Sequence, residues 1–329
     1  MNRLVEIVHR FANRRLLIIG DAIADQFLYG NISRVSREAP VFILKHELTQ
    51  TVPGGAANCA MNLAALGARV SLIAAVGNDE SGRELRAKLE TAGVDVNGVI
   101  VSEKIQTTTK VRILAGQSHS NKQQVIRIDY EGAAAGDALP RDSILKALKS
   151  ALTSTEAVVI SDYNYGVVDD DAIALIRESS PKPVLVDSRF DLWKFPGFTA
   201  ATPNEDEVEH LVGHSIKTTV ELELDARTLK DKLAYRALLV TRGAHGMMLL
   251  EDDVAPLHIP AVGAQQSVDV TGAGDTVIAT FALAIASDAS FADAAQLANY
   301  AGGLVVMKRG TASVTAAELE HSILNSENA

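Results

Sequence analysis

The string Asp269-Val270-Thr271-Gly272-Ala273-Gly274-Asp275 stands between a polar loop and a long apolar run. Glycines on either side of a small residue let the chain turn tightly. They can present successive backbone N–H groups at the N-terminus of the helix that Gly272–Ser287 predicts. Such amides, aligned with the positive end of the helix dipole, hold an anion. A phosphoryl group in transfer spreads negative charge over its oxygens, and fixed donors aimed at that charge lower the barrier. Asp275, one residue past the turn, is placed to accept the proton of an attacking hydroxyl. The same residues also fit a plainer description, a tight turn followed by a helix-capping acid. No Gly-Lys-Ser/Thr follows, so this is not a Walker loop. The glycine spacing does not match a dinucleotide fingerprint, and no strand directly precedes it.

The elements that must position these groups alternate between strand and helix. Leu16–Gly20 reads as a strand, Ala56–Gly67 as a helix, Val70–Gly77 as a strand and Glu80–Ala92 as an amphipathic helix ended by Gly93. Val99–Glu103, Thr107–Leu114 and Gln124–Tyr130 then alternate apolar and polar residues with no helix between them, the pattern of a solvent-facing antiparallel sheet; Val41–Val52 belongs with them. Alternation resumes at Ala157–Asp162 and runs through strands Val184–Asp187, Ala237–Thr241 and Met247–Leu250 to helices Phe291–Lys308 and Ala316–Leu324. Strands separated by helices imply a mostly parallel sheet covered on both faces. The reading is one α/β domain over residues 1–329, with a small β-sheet lid contributed from about 30–52 and 99–130.

Composition narrows the function classes. Formal net charge is −10 over 329 residues, which excludes the basic footprint that nucleic acid requires. The single cysteine, Cys59, allows no intrachain disulfide and reads as a packing residue. Glu6, His9 and Arg10 interrupt any signal-peptide core. The longest apolar run, Val277–Ala286, is far short of a bilayer span. A cytoplasmic protein acting on small molecules, with no membrane partner, is expected.

Asp-x-x-Gly-Ala-Gly-Asp before a long helix resembles the C-terminal signature of the ribokinase-like (phosphofructokinase B type) carbohydrate kinases. Gly54-Gly55-Ala56-Ala57-Asn58 resembles their N-terminal Gly-Gly signature, and Gly20-Asp21 ends the first strand as in that family. The motifs fall in the family's order over nearly the whole chain. The resemblance implies an α/β ribokinase-like fold and ATP-dependent phosphorylation of a sugar, with Asp275 as general base and Gly272, Ala273 and Gly274 as anion hole. It implies that Asp21, Gly54, Gly55 and Asn58 hold substrate hydroxyls. Asn204-Glu205-Asp206-Glu207 matches the family's Asn-x-x-Glu, which places Asn204 at ATP and Glu207 at magnesium through water. Thr241, Gly243 and Asn299 match its nucleotide side. Asp269 matches an acid near a monovalent-cation site, with potassium as the candidate ion. Each position has a plainer role: helix cap for Asn204, strand-ending turn for Thr241, ordinary helix polar residues for Asn58 and Asn299.

Three local strings bear on the substrate. Ser33–Val41, Thr109–Leu114 with Gln123–Asp129, and Ser161-Asp162-Tyr163-x-x-Gly166 resemble the branch of the family acting on heptose 7-phosphate at its anomeric hydroxyl. Arg34, Arg37, Lys110, Arg112 and Arg127 gather around the lid, and Arg forks match phosphate oxygens; solvated strand charges are the alternative. Of these, Arg34, Lys110, Arg112 and Arg127 are the candidates for the sugar's own phosphate. Asp162 and Asp187 end strands where α/β proteins bind ligands. The length leaves no room for a second catalytic domain, so a kinase of single activity is expected, dimeric through its lid. The rivals are another kinase of the superfamily, acting on ribose, a ketohexose phosphate or a nucleoside, and a catalytically silent sugar or nucleotide sensor.

Overall fold

The computed structural model describes residues 2–117, 122–131, 138–179, 182–263, 268–308 and 310–326. The expected domain ends, Met1 and Ala329, and residues 118–121 of the expected lid lie outside these. The chain runs α1 (Arg3–His9), β1 (Arg15–Gly20), β2 (Ala22–Val35), β3 (Phe42–Gly55), α2 (Ala56–Ala65), β4 (Arg69–Gly77), α3 (Glu80–Thr91) and β5 (Val99–Ser102). Next come β6 (Thr109–Gly116), β7 (Gln123–Tyr130), α4 (Arg141–Leu152), β8 (Ala157–Asp162), α5 (Asp170–Glu178), β9 (Val184–Ser188) and β10 (Ala200–Ala201). It ends with α6 (Glu205–Val212), α7 (Thr219–Lys232), β11 (Ala237–Thr241), β12 (Met247–Glu251), β13 (Leu257–Ile259), α8 (Ala273–Ala286), α9 (Phe291–Val305) and α10 (Ala316–Ser326).

Nine strands form the main sheet in the order β13-β12-β11-β10-β9-β8-β1-β4-β5. The pairs from β5 to β11 are parallel, and β12 and β13 are antiparallel. β1 shows why. Leu16, Leu17, Ile18 and Ile19 are all buried, as an apolar run covered on both faces must be. Leu16 and Ile18 join the core with α1, α2, α3, α8, α9 and α10, while Leu17 and Ile19 join the core with α4 to α7. Strands entering from alternate layers bring their carboxyl ends to one edge of the sheet, where Asp162, Asp187, Asn204 and Thr241 all lie.

The lid is a four-stranded sheet ordered β3-β2-β6-β7. It departs from expectation in three respects. Val99–Ser102 is not part of it: β5 pairs parallel with β4 at the edge of the main sheet. The lid is mixed rather than antiparallel, because β2 and β6 run parallel. Its central strand begins at Ala22, well before residue 30, and Ala22 to Ala24 are buried. A strand that is buried near its root and exposed at its tip shows no clean alternation, which is why the root was not legible. Among the described residues no helix is long and apolar enough to cross a membrane.

Candidate active site

A cleft of about 750 Å³ opens between the lid and the carboxyl edge of the main sheet. Asp275 is at its floor, on the first turn of α8, a helix buried on nearly every side and therefore held rigidly. Gly272 caps α8 in the left-handed region, φ 77°. A Cβ there would also stand 2.5 Å from Asn58 Nδ2, so both backbone and neighbour demand glycine. Asn58 Nδ2 donates to Asp275 Oδ2 at 2.8 Å, and the Tyr163 hydroxyl donates to Oδ1 at 3.2 Å. Asn62 donates to Asn58 Oδ1 at 3.2 Å and accepts from the Thr276 hydroxyl at 3.0 Å. These bonds stitch α2 to α8 through a buried polar network. Burial pushes the Asp275 carboxyl up to about 7, against the lowering effect of the Asn58 and Tyr163 hydrogen bonds. A carboxylate of that affinity is well matched to taking a proton near neutral pH.

Of the three residues expected as an anion hole, Ala273 has its amide taken by the Val270 carbonyl at 3.2 Å. Among the described residues no hydrogen bond occupies the amides of Gly274 and Asp275. A Cβ on Gly274 would meet nothing within 4 Å, so the approach to these donors is open.

Several expected residues lie elsewhere. Asp21 does not face the cleft. It is buried, and its Oδ2 accepts from the backbone amides of Tyr163 at 2.8 Å and Tyr165 at 3.1 Å, its Oδ1 from that of Val167 at 3.3 Å. Burial and the nearby Asp162 push it up to about 6. It anchors the 163–167 loop rather than a sugar. Asp162 likewise turns inward, accepting from the Ser188 hydroxyl at 2.8 Å and the Asn164 amide at 3.1 Å, and so ties β8 to β9. Arg34 sits on the exposed tip of β2, outside the cleft lining. Gly54 is not lining either; it is small because a Cβ would strike the Asp25 carboxylate. Gly55 does line the cleft, at φ 56°. Asn58 is buried with its amide directed at Asp275 and does not line the cleft.

Lys110, Arg112, Arg127, Asp187, Asn204, Glu207 and Thr241 all line the cleft as expected. Asn204 caps α6, accepting from the Glu207 amide at 2.8 Å, while Glu207 Oε2 accepts from the Asn204 amide at 2.9 Å; the cap and the site coincide. Burial and the charge of Glu207 and then Asp275 push Asp187 well above the usual carboxylate range, and burial raises Glu207. Like charges packed this closely suit a cation between them. Among the described residues no group of three or more His, Cys, Asp or Glu forms a cage for a metal. The Thr202 and Thr311 hydroxyls are buried, face the cleft and have no partner among the described residues, so the walls hold polar atoms that a ligand can satisfy. Asp269 accepts from the amides of Thr271 and Gly310, both at 2.9 Å, which holds it below the usual carboxylate range and clasps the two segments flanking the α8 turn.

Sequence reasoning missed several lining residues, among them Thr202, Thr311 and two charged groups. Asp25, on β2, is buried and pairs with Arg112 of β6. Arg189, just past β9, faces the cleft. Neither sits in a motif. Asp25 lies four residues beyond Asp21, and only the lid pairing of β2 with β6 brings it to Arg112.

An apolar recess of about 230 Å³ adjoins the cleft at Thr241, Val270 and Gly274. Gly243, Val262, Val277, Asn299 and Gly302 line it. Asn299 donates to the Pro260 carbonyl at 2.7 Å. An apolar recess joined at Gly274 to a helix terminus with open amides has room for a nucleotide base.

With this geometry in place, comparisons with known proteins are informative. The family described as pfkB family carbohydrate kinase matches residues 13–317. The bifunctional protein HldE of Hahella chejuensis is 42% identical over 323 residues, 97% of this chain and 65% of that protein. HldE of Caulobacter vibrioides is 41% identical over 326 residues, 96% of this chain and 65% of that protein. The chain thus spans about 65% of the length of these curated relatives. Among solved structures, Arabidopsis thaliana ribokinase complexed with ribose and ATP superposes with a TM-score of 0.76 at 22% identity, covering 94% of this chain and 99% of that one. Escherichia coli phosphofructokinase-2 in complex with potassium gives 0.78 at 18% identity, covering 96% and 99%. The fold is ribokinase-like.

Proposed function

The chain belongs to the pfkB family of carbohydrate kinases and is an ATP-dependent carbohydrate kinase, and on that premise we propose that it phosphorylates D-glycero-β-D-manno-heptose 7-phosphate at the anomeric hydroxyl. The product is the 1,7-bisphosphate, an intermediate toward ADP-heptose and the lipopolysaccharide core. Similarity to HldE along almost the whole chain supports this substrate.

The observation that carries it is the charge balance of the lid. Four cations face the cleft: Lys110, Arg112, Arg127 and Arg189. Arg112 is paired with Asp25, and Arg127 with Asp129 at 2.8 Å. Among the described residues neither Lys110 nor Arg189 has a carboxylate within ion-pair distance, although Arg189 is near enough to lower Asp187 and Glu207 and Lys110 feels Asp25 and Asp129; Lys110 lies over the Tyr163 and Tyr165 rings, 5.4 and 5.9 Å from their centroids. Burial holds Lys110 below the usual lysine range. Lys110 is partly buried and Arg189 is exposed at the cleft mouth, and a partly buried cation without an ion-pair partner favours an anionic ligand. A sugar carrying its own phosphate supplies one, and a neutral sugar does not.

In this reading Lys110 and Arg189 take the 7-phosphate, with Arg127 at the rim, and Asp25 accepts from ring hydroxyls. Asp275 takes the proton of the anomeric hydroxyl, whose oxygen attacks the γ-phosphorus as the bond from that phosphorus to the β–γ bridging oxygen breaks and ADP leaves. The Gly274 and Asp275 amides at the α8 terminus stabilise charge on the transferring group. The adenine lies in the recess beside Gly243 and Asn299. Glu207, with Asp187 beside it, would hold magnesium through water, and such an ion would supply charge neutralisation for the nucleotide phosphates. Asp269 would border a potassium ion. Exposed apolar residues on the outer strands of the lid, Phe42, Leu48 and Ile126, join two copies into a homodimer. The residues form a single domain working in the cytoplasm, where ATP is supplied.

A panel of acceptors with ATP consumption as readout tests the substrate. Heptose 7-phosphate should exceed ribose in kcat/KM by at least about a hundredfold, the discrimination expected when a charged site is left unpaired by the wrong substrate, and it should also exceed fructose 6-phosphate. Equal use of ribose contradicts it.

A further inference from the structure

The carboxylate of Asp21 sits beside the site without touching the cleft. Burying an acid is costly unless every lone pair is served, and here three backbone amides serve it, from Tyr163, Tyr165 and Val167. All three belong to one loop, and that loop carries the only hydroxyl, among the described residues, that reaches Asp275. The Tyr163 ring is fixed from two further directions. A Cβ on Gly55 would stand 3.3 Å from its Cε2, so Gly55 leaves room for it, and the Lys110 ammonium covers its face at 5.4 Å.

We propose that Tyr163 is a positioning residue for the base: its hydroxyl locks the Asp275 carboxylate in one orientation and holds it in the charged form that accepts a proton, while Asp21 fixes the loop from which it acts. The inference rests on the assignment of Asp275 as base. Asn58 holds Oδ2 from α2 and Tyr163 holds Oδ1 from the β8 end, so the carboxylate cannot rotate, and each oxygen keeps a lone pair for substrate. A hydrogen bond to the charged form stabilises that form. The other titratable groups facing Asp275 are Asp25 on β2, Lys110 on β6, Asp187 on β9 and Cys59 on α2. Among the described residues none of these hydrogen-bonds to it; they act through space and are the same in wild type and variant.

The test is the pH dependence of kcat/KM with the best acceptor of the wild-type enzyme. For Tyr163→Phe the acidic limb should move up by about one pH unit, the equivalent of one charge-assisted hydrogen bond lost. The rate at pH 7 should fall about fivefold, the loss should approach about tenfold at lower pH, and it should shrink above pH 9. KM for ATP should stay within about twofold. A uniform loss at every pH, with the limb unmoved, would mean that Tyr163 only supports the fold and would overturn the proposal, as would unchanged kinetics. Should Tyr163→Phe fail to fold, 3-fluorotyrosine introduced at 163 decides the matter, since it keeps the ring and makes the hydroxyl a stronger donor. The limb should then move to lower pH, and an unmoved limb overturns the proposal. Asp275→Asn separates the two layers of the argument: if it retains turnover, base and positioning assignments both fall, and if it abolishes turnover while the Tyr163→Phe limb stays put, only the positioning role falls.

Discussion

Asp275 is held charged in a place that resists charge. Its folded-state value of about 7 lies above the 3.8 of an exposed aspartate, so between those pH values the folded protein binds a proton that the unfolded chain has released. Stability therefore falls as pH rises from about 4 to about 7 and stays reduced above it. Asp275→Asn should raise the melting temperature at pH 8, by an amount that shrinks toward pH 5, while cutting turnover by roughly 10²–10⁴-fold, the usual contribution of a positioned base. Thermal melts at the two pH values and initial rates check both halves; a variant that melts lower at pH 8 would argue against the burial account. This acid was legible in the sequence because its neighbours in the chain are its partners in function. Asp25 and Arg189 were not, since the groups that give them meaning come from distant strands. Asp21 was misread for a related reason. An acid at the end of a sheet strand looks the same in sequence whether it faces a ligand or three backbone amides.

At the level of elements, the turn into α8 and the hairpins of the lid do the positioning. Gly272 holds φ 77°, and a methyl group there would press on Asn58. Gly272→Ala should cost about 1–2 kcal/mol in stability through backbone strain and should cost proportionally more in kcat, because relief of the clash displaces the amide that holds Asp275. Denaturant melts alongside kcat measure the two; a stability loss with full turnover would show that the Asn58 contact is dispensable. The alternating strands and helices of the main sheet were readable because each β-type run is apolar and each helix carries a stripe. The lid was readable in β3, β6 and β7, outer and inner strands alike. The root of β2 was hidden by its burial, and Val99–Glu103 reads as lid because a four-residue strand has the same pattern in either sheet. The pairing with β4 that decides it is a long-range fact.

For the whole molecule, the outer lid strands expose Phe42, Leu48 and Ile126, each more than half accessible, on unpaired sheet edges, the combination that recruits a second copy. Light scattering at micromolar concentration should give the mass of a dimer, and Phe42→Asp with Ile126→Asp should give a monomer; a wild-type monomer would remove the lid from the interface. The substrate reading places two phosphates in one cleft, one arriving on ATP at Gly274 and one already on the sugar at Lys110 and Arg189. Lys110→Ala with Arg189→Ala should accordingly raise KM for the sugar phosphate at least tenfold and leave KM for ATP within about twofold, since a charge-assisted contact to a phosphate is worth about 1.5–3 kcal/mol. Where the new phosphate goes tests the account most directly. Phosphorus NMR of a complete reaction with ATP and heptose 7-phosphate should show the 7-phosphate retained and one new resonance coupled to the anomeric proton. Turnover that places the phosphate on any other carbon, or no turnover of this sugar under conditions where ribose or fructose 6-phosphate reacts, would contradict it.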